Sequence, residues 1–459
     1  MKEQLQTIAK WLQVDGQHIE DVQITGVSID SRTVQKGDLF IPFRGEQVNG
    51  HRFVESAIEQ GAAASLWLKD EPNPPTDLPL LFVEDSEVAL QEMARAYRDE
   101  LSCKVIGITG SNGKTSTKDL VASVLSPYFN VKKTEGNFNN ELGMPLTLLS
   151  LERDTDIAVL EMGMSGFGEI SFLSKLAKPD FAVITNIGEA HMQDLGSRKG
   201  IAQAKFEIID GLKEDGKLFF DGDEPLLAQF VDEAEVVYAF SFGDERTNDL
   251  HIDALQTTDA GSAFNVDGLI RGTFTIPVYG AHQVKNTLAA IGIAHHLGLT
   301  NEKIAKALAT ASLTAMRMQP VVGTNGALFI NDAYNAAPTS VNAALQFMKE
   351  TTLRQDKWVV LGDMLELGDE ERAYHEQLSE PLLAMGAQGI LLYGPRMKWL
   401  YDQLQTAETD ATLIWSEDDY APLQEVLTKQ TGPSSVVLLK GSRGMALENV
   451  LQAFIAQNE

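Results

Sequence analysis

From Lys104 onward, short uninterrupted apolar runs alternate with helix-length segments, and no other feature constrains the fold as strongly. KVIGIT (104–109), DIAVLEM (156–162) and FAVITNIG (181–188) lack the apolar/polar alternation of a half-exposed sheet, as expected for strands covered on both faces. Such strands separated by helices predict an α/β fold, a parallel sheet flanked by helices. The polar, Gly- and Thr-rich stretch 249–279 predicts antiparallel hairpins added to that sheet. AHQVKNTLAAIGIAHHLG (281–298) then predicts a helix closed by glycine. The alternation restarts with LFIND (328–332), KWVVLGD (357–363), GILLYG (389–394), ATLIW (411–415) and SSVVLLKG (434–441). These predict a second doubly wound unit beginning near residue 314.

The first hundred residues read differently. GDLFIPFRG (37–45) alternates like a strand, residues 51–65 predict a helix ending at Gly61, and LPLLFVED (78–85) predicts a buried strand, with the proline-rich EPNPPTDLP (71–79) as a surface loop. A chain of 459 residues accommodates three such domains, expected at 1–100, 101–313 and 314–459. The formal charge of −28 argues against nucleic acid or an anionic membrane surface as partner. A single cysteine, Cys103, fits a reducing compartment, and no apolar run approaches the ~18 residues of a membrane span. A soluble, cytoplasmic protein is expected.

Between the strand at 104–109 and the following helix lies Gly110-Ser111-Asn112-Gly113-Lys114-Thr115. Glycines let successive N–H groups face a phosphate, Lys114 can reach the terminal phosphates, and Thr115 offers a hydroxyl to Mg²⁺. The usual P-loop has glycine five residues before Gly113, where this chain has Ile108, so the loop is a variant. An ordinary glycine turn is the bland alternative; a nucleotide site spanning Thr109 to Ser116 is the expectation. Glu161, Asn186 and His191 follow strands whose carboxyl ends converge on such a loop, and Lys205 lies slightly further on. Glu161 suits a hard cation. Taken singly, His191 reads as a loop histidine and Lys205 as a solvated helix lysine.

Taken together, TGSNGKTST (109–117), EGNFNNELGMP (135–145), LEMGM (160–164), TNIGEAHM (185–192), AKFEI (204–208), GAHQVKN (280–286) and NDAYNAAP (331–338) resemble, in order and spacing, the Mur ligases, ATP-dependent amide-forming enzymes. DAYNAAPTS, LGDMLELG (361–368) and LLKGSRGMALE (438–448) resemble the member that adds D-alanyl-D-alanine to a UDP-MurNAc-tripeptide. VSIDSR (27–32) with GDLFIPFRGEQVNGHRF (37–53) resembles the module holding the UDP-sugar end.

The resemblance implies an N-terminal UDP-substrate domain, a central ATPase domain and a C-terminal Rossmann-like domain for the dipeptide. It implies two Mg²⁺ ions held by Thr115, Glu161, His191 and Lys205, the last as a carbamate. Lys114, Glu161, His191 and Lys205 would be catalytic. Asn286, Arg317 and Asp332 would join residues 109–116 around ATP. Ser28, Asp30, Ser31, Arg32, Asn139 and Asn140 would face the UDP substrate, and Tyr334, Asn335 and Ala336 the dipeptide. A monomer with mobile outer domains, open without ligands, is also implied. No role passes to Gln283, where relatives commonly have Asn, and TAMRMQP around Arg317 lacks the glycine that often precedes the arginine. A sister ligase adding the diamino acid and, from another class, a P-loop NTPase switch remain alternatives. The cheap discriminator is whether ADP release depends on both other substrates.

Overall fold

The computed structural model describes the chain except Glu46, Ala190, His191, Asp259 and residues 456–459. It falls into two compact units. One comprises Met1–Thr109, Tyr128–Ala182 and Glu207–Lys217; the other comprises Gly110–Pro127, Val183–Phe206 and Leu218–Glu459.

In the first unit, strands Gly16–Gln17, Leu80–Val83, Ala64–Leu68, Asp38–Phe40 and Gly26–Ser28 form a five-stranded sheet in that order, parallel except for the first. The strand expected across 37–45 is confined to Asp38–Phe40, and Pro42, which has no N–H to give a ladder, lies just beyond it. The helix expected to end at Gly61 is a 3₁₀ turn, Gly50–Phe53, followed by Val54–Gln60 with Gly61 as its C-cap; Ala64 and Ser65 belong to the next strand. The long helix Ser86–Glu100 starts where Asp85 Oδ1 accepts from Glu87 N at 2.7 Å and Val88 N at 3.0 Å, a side-chain N-cap. At its other end the buried Arg98 donates through Nε to Ala177 O at 2.7 Å. That places a cation at the C-terminus of helix Glu169–Ala177, where the peptide dipoles favour it. Strands Lys104–Thr109, Ile157–Glu161 and Val131–Lys133 run parallel, with Ile157–Glu161 between the other two.

In the second unit, Lys217–Asp221 pairs in parallel with Ala239–Gly243, which pairs in parallel with Leu250–Thr258. Gly261–Gly268 and Gly272–Ile276 then complete the expected antiparallel hairpins. The glycine-closed helix runs over Ala281–His296. The C-terminal sheet has the order Gln319–Val322, Leu328–Asn331, Ser435–Lys440, Asp356–Gly362, Gly389–Tyr393, Thr412–Ser416, all parallel except the first strand. The central runs of its inner strands are continuously apolar because alternate side chains enter two different cores: Ile330, Leu438 and Leu361 face one, Phe329, Leu439 and Val360 the other. Each fully buried aliphatic side chain contributes about 1.5–3 kcal/mol, so both faces reward this pattern. The register pairs Asn331 with Leu439 and Leu361 with Lys440, so three loops leave one edge of the sheet side by side: DAYNAAP, KGSRG and GDMLELG. Among the described residues, no helix is long and apolar enough to cross a membrane.

Candidate active site

The phosphate loop is held open by its own glycines and by the segment after strand Phe181–Ile184. Gly110 has φ +149°, and a Cβ there would lie 1.8 Å from Thr185 Oγ1; Gly113 has φ +80°, and its Cβ would lie 2.7 Å from the Asn286 amide. Both positions therefore require glycine. Asn186 staples the loop: its carbonyl accepts from Ser111 N at 3.1 Å, its Oδ1 accepts from Asn112 N at 3.0 Å, and its Nδ2 donates to Asn112 O at 3.0 Å. Gly188 N donates to Ser111 Oγ at 2.8 Å. Lys114 opens the helix Lys114–Leu125 and donates to Gly110 O at 2.9 Å, which folds the ammonium back over the loop. Helix N-terminus, glycine loop and lysine together make an anion cradle.

Lys205 overturns its bland reading. It lies on the helix Arg198–Phe206 with 2 % of its surface exposed, not solvated. Burial, and secondarily the Lys114 ammonium, push its pKa well below that of an ordinary lysine.

The same unit brings the C-terminal segment to the loop. Arg317 Nη2 donates to Thr115 Oγ1 at 3.2 Å, and its guanidinium carbon sits 4.1 Å from the centre of the Tyr334 ring. Thr314 donates through N and Oγ1 to Asp119, at 2.7 and 2.6 Å, and Asp119 is fully buried on the loop's helix. Thr339 Oγ1 donates to Glu189. Asp332 accepts from Met318 N at 3.1 Å and pairs with Lys440 at 2.5 Å; Lys440 also donates to Asn335 O at 3.2 Å. Ala336 is buried and its carbonyl accepts from Ser442 Oγ at 3.5 Å. Ser116 is buried, as is Asn286 beside Gly113. His282, one turn earlier, is pushed down to about 4 by burial, with the Asp332 charge opposing.

In the first unit, Glu161 ends its strand with 4 % exposure, its N–H donates to Thr134 Oγ1 at 2.9 Å, and its Oε1 accepts from Asn139 Nδ2 at 2.9 Å. Asn139 reaches it because Gly163 N donates to Asn139 O at 2.7 Å and leaves no Cβ in the way. Asn140, by contrast, spends its Oδ1 on Gly143 N at 2.9 Å, capping the helix Gly143–Ser150. Thr109 is buried, and its Oγ1 has no hydrogen-bond partner among the described residues. Ser28, Asp30 and Arg32 turn on one another. Ser28 Oγ donates to Asp30 O at 3.0 Å, and Arg32 Nη2 donates to Asp30 Oδ2 at 2.7 Å. The hydrogen bonds from Arg32 pull the Asp30 carboxyl down to about 2. Ser31 sits in the same turn. His191 lies outside the described residues.

Sequence reasoning passed over Asp119 and Lys440. A carboxylate in a helix buried on most sides leaves no periodic signature. Lys440 did leave one, as the single charge closing the apolar run SSVVLL.

Three family models match the chain in succession: Mur ligase family, catalytic domain, over residues 23–98; Mur ligase middle domain over 108–294; and Mur ligase, glutamate ligase domain over 316–443. The chain belongs to the Mur ligase family. Its three-domain α/β architecture is that of Mur ligases. Over 437 residues, 95 % of this chain and 94 % of the relative, it is 44 % identical to the UDP-N-acetylmuramoyl-tripeptide–D-alanyl-D-alanine ligase of Bacillus subtilis (strain 168). Among solved structures, MurF from Acinetobacter baumannii matches with a TM-score of 0.88 at 29 % identity, covering 98 % of each chain. The MurF ligase of Thermotoga maritima in complex with ADP matches with a TM-score of 0.83 at 29 % identity, covering 94 % of this chain and 96 % of that one.

Proposed function

We infer that this Mur ligase joins D-alanyl-D-alanine to the terminal carboxylate of a UDP-MurNAc-tripeptide at the expense of ATP. The products are the UDP-MurNAc-pentapeptide, ADP and phosphate, in peptidoglycan precursor synthesis. The observation that carries this reading is likeness along nearly the whole chain to ligases of that name, with the phosphate loop, Lys114 and Arg317 gathered in one unit. The domains are assigned as 1–100 for the UDP substrate, 101–313 for ATP and 314–459 for the dipeptide. The enzyme works as a monomer, as the family resemblance implies, and in the cytoplasm, a reducing compartment that its single cysteine fits.

The physical obstacle is the repulsion between a γ-phosphate and a carboxylate. Backbone N–H groups of residues 109–116 and Lys114 meet the phosphates, and Asn286, Arg317 and Asp332 contact adenine, ribose or phosphates. A carboxylate oxygen of the tripeptide bonds to the γ-phosphorus while the bond to ADP breaks, giving an acyl phosphate. The dipeptide amine, oriented by Tyr334, Asn335 and Ala336, then attacks the acyl carbon, and phosphate leaves with the bonding pair. Ser28, Asp30, Ser31, Arg32, Asn139 and Asn140 serve the UDP substrate, with Asn139 steadying Glu161.

Thr115, Glu161, His191 and Lys205 would hold two Mg²⁺ ions. Thr115 Oγ1 and the Glu161 carboxylate, each buried, would supply hard-oxygen ligands. His191 is assigned to the second ion, and Lys205 fits only after carbamylation. As an ammonium it would repel a cation, but its lowered pKa frees the neutral amine that adds to CO₂, losing a proton and leaving an anion. Bound Mg²⁺ would neutralise the phosphoryl oxygens and orient the carboxylate.

The test is ADP release from purified protein with ATP and Mg²⁺. Turnover should require both the UDP-MurNAc-tripeptide and D-alanyl-D-alanine. Steady hydrolysis without either would instead mark an NTPase switch.

A further inference from the structure

Asp332 commits both carboxylate oxygens inside the protein. Oδ1 accepts from Met318 N at 3.1 Å and Oδ2 from Lys440 Nζ at 2.5 Å. Lys440, the last residue of strand Ser435–Lys440, is 3 % exposed and donates again to Asn335 O at 3.2 Å. One buried ammonium thus ties together three segments: the strand that carries it, the Asn335 loop, and through Asp332 the 316–318 segment. That last segment is strained. Met316 and Met318 have φ of +62° and +53°, left-handed backbone in residues that carry a Cβ. It is held by Tyr334 N donating to Met316 O at 3.3 Å and by Met318 N donating to Asp332. Strain of this kind persists only where its surroundings over-determine it. Between the two methionines stands Arg317, with Thr115 on one side and the Tyr334 ring on the other.

A buried Lys–Asp pair is a poor way to stabilise a fold, since apolar residues of similar volume do as well or better. Its position between two loops favours a geometric role. We propose that Lys440 is a positioning residue for the ligation step, bracketing Asp332 and the Asn335 carbonyl so that the 331–337 loop and Arg317 keep one fixed relation. Lys440 acts through these groups and touches no substrate. The inference rests on the assignment of this loop to the incoming dipeptide and of Arg317 to the nucleotide.

The experiment is steady-state kinetics of the full chain with ATP, UDP-MurNAc-tripeptide and D-alanyl-D-alanine varied in turn. In Lys440→Met, KM for the dipeptide and for ATP should rise about tenfold or more, while KM for the UDP substrate stays within about twofold. Lys440→Arg should recover part of the loss. Because Lys440→Met leaves the Asp332 carboxylate buried without its cation, the doubly neutral Asp332→Asn/Lys440→Met is made as well, and its dipeptide KM should rise likewise while its unfolding midpoint stays near wild type. An unchanged dipeptide KM in a folded variant would overturn the proposal, as would a fall in kcat with every KM unchanged. Failure of both variants to fold would also overturn it, marking the pair as part of the fold. A wild-type protein that ignores the dipeptide would refute the ligase assignment itself.

Discussion

A lysine with 2 % exposure beside a second lysine is held well below the ordinary lysine pKa, and this environment gives Lys205 a chemistry its residue type does not announce. The residue pattern around AKFEI gave no sign of that burial, and only the family resemblance singled Lys205 out. The helix Arg198–Phe206 mixes exposed Arg198 and Lys199 with buried Ile201, Ala202 and Ala204, and which turn buries Lys205 is decided by tertiary packing rather than periodicity. Glu161 was easier to read, because it ends an apolar run at the sheet edge where α/β proteins bind ligands. The carbamate assignment makes a prediction at this scale. Lys205→Ala should abolish amide formation under conditions where wild type turns over, and short carboxylic acids should restore part of it. Full activity in the alanine variant, measured by ADP release, would refute the assignment.

At the level of elements, the buried parallel strands were legible because both faces are apolar, and the phosphate loop because strand, glycines and helix follow in order. Short elements were not. Ala64–Leu68 follows an alanine run that reads equally well as helix, and Asp38–Phe40 is shorter than its alternating flank suggested. The staple formed by Asn186 and the tether from Asp119 to Thr314 depend on contacts between distant segments, which no local pattern encodes. The loop itself can be tested. Gly113→Ala places a Cβ at φ +80° and against Asn286, so it should cost about 1–2 kcal/mol in urea unfolding and raise the KM for ATP about tenfold. A variant with wild-type stability and KM would show that the loop does not hold the phosphates in this conformation.

For the whole molecule, the charge of −28 is the background against which two anionic substrates must bind. The compensation is local. Loop N–H groups, Lys114 and Arg317 supply positive potential at one place, while the rest of the surface keeps the protein apart from polyanions. Three family models in succession account for the order of domains, and the second unit shows how the last of them reaches the phosphate loop, through Arg317. Such an arrangement is useful if phosphate must be placed on the substrate before the dipeptide arrives. The most direct test is a UDP-MurNAc-tripeptide carrying heavy oxygen in its terminal carboxylate, turned over with ATP and D-alanyl-D-alanine, with the released phosphate analysed by mass spectrometry. An acyl phosphate intermediate predicts that the label appears in inorganic phosphate in step with pentapeptide formation. Pentapeptide accompanied by unlabelled phosphate would contradict the account.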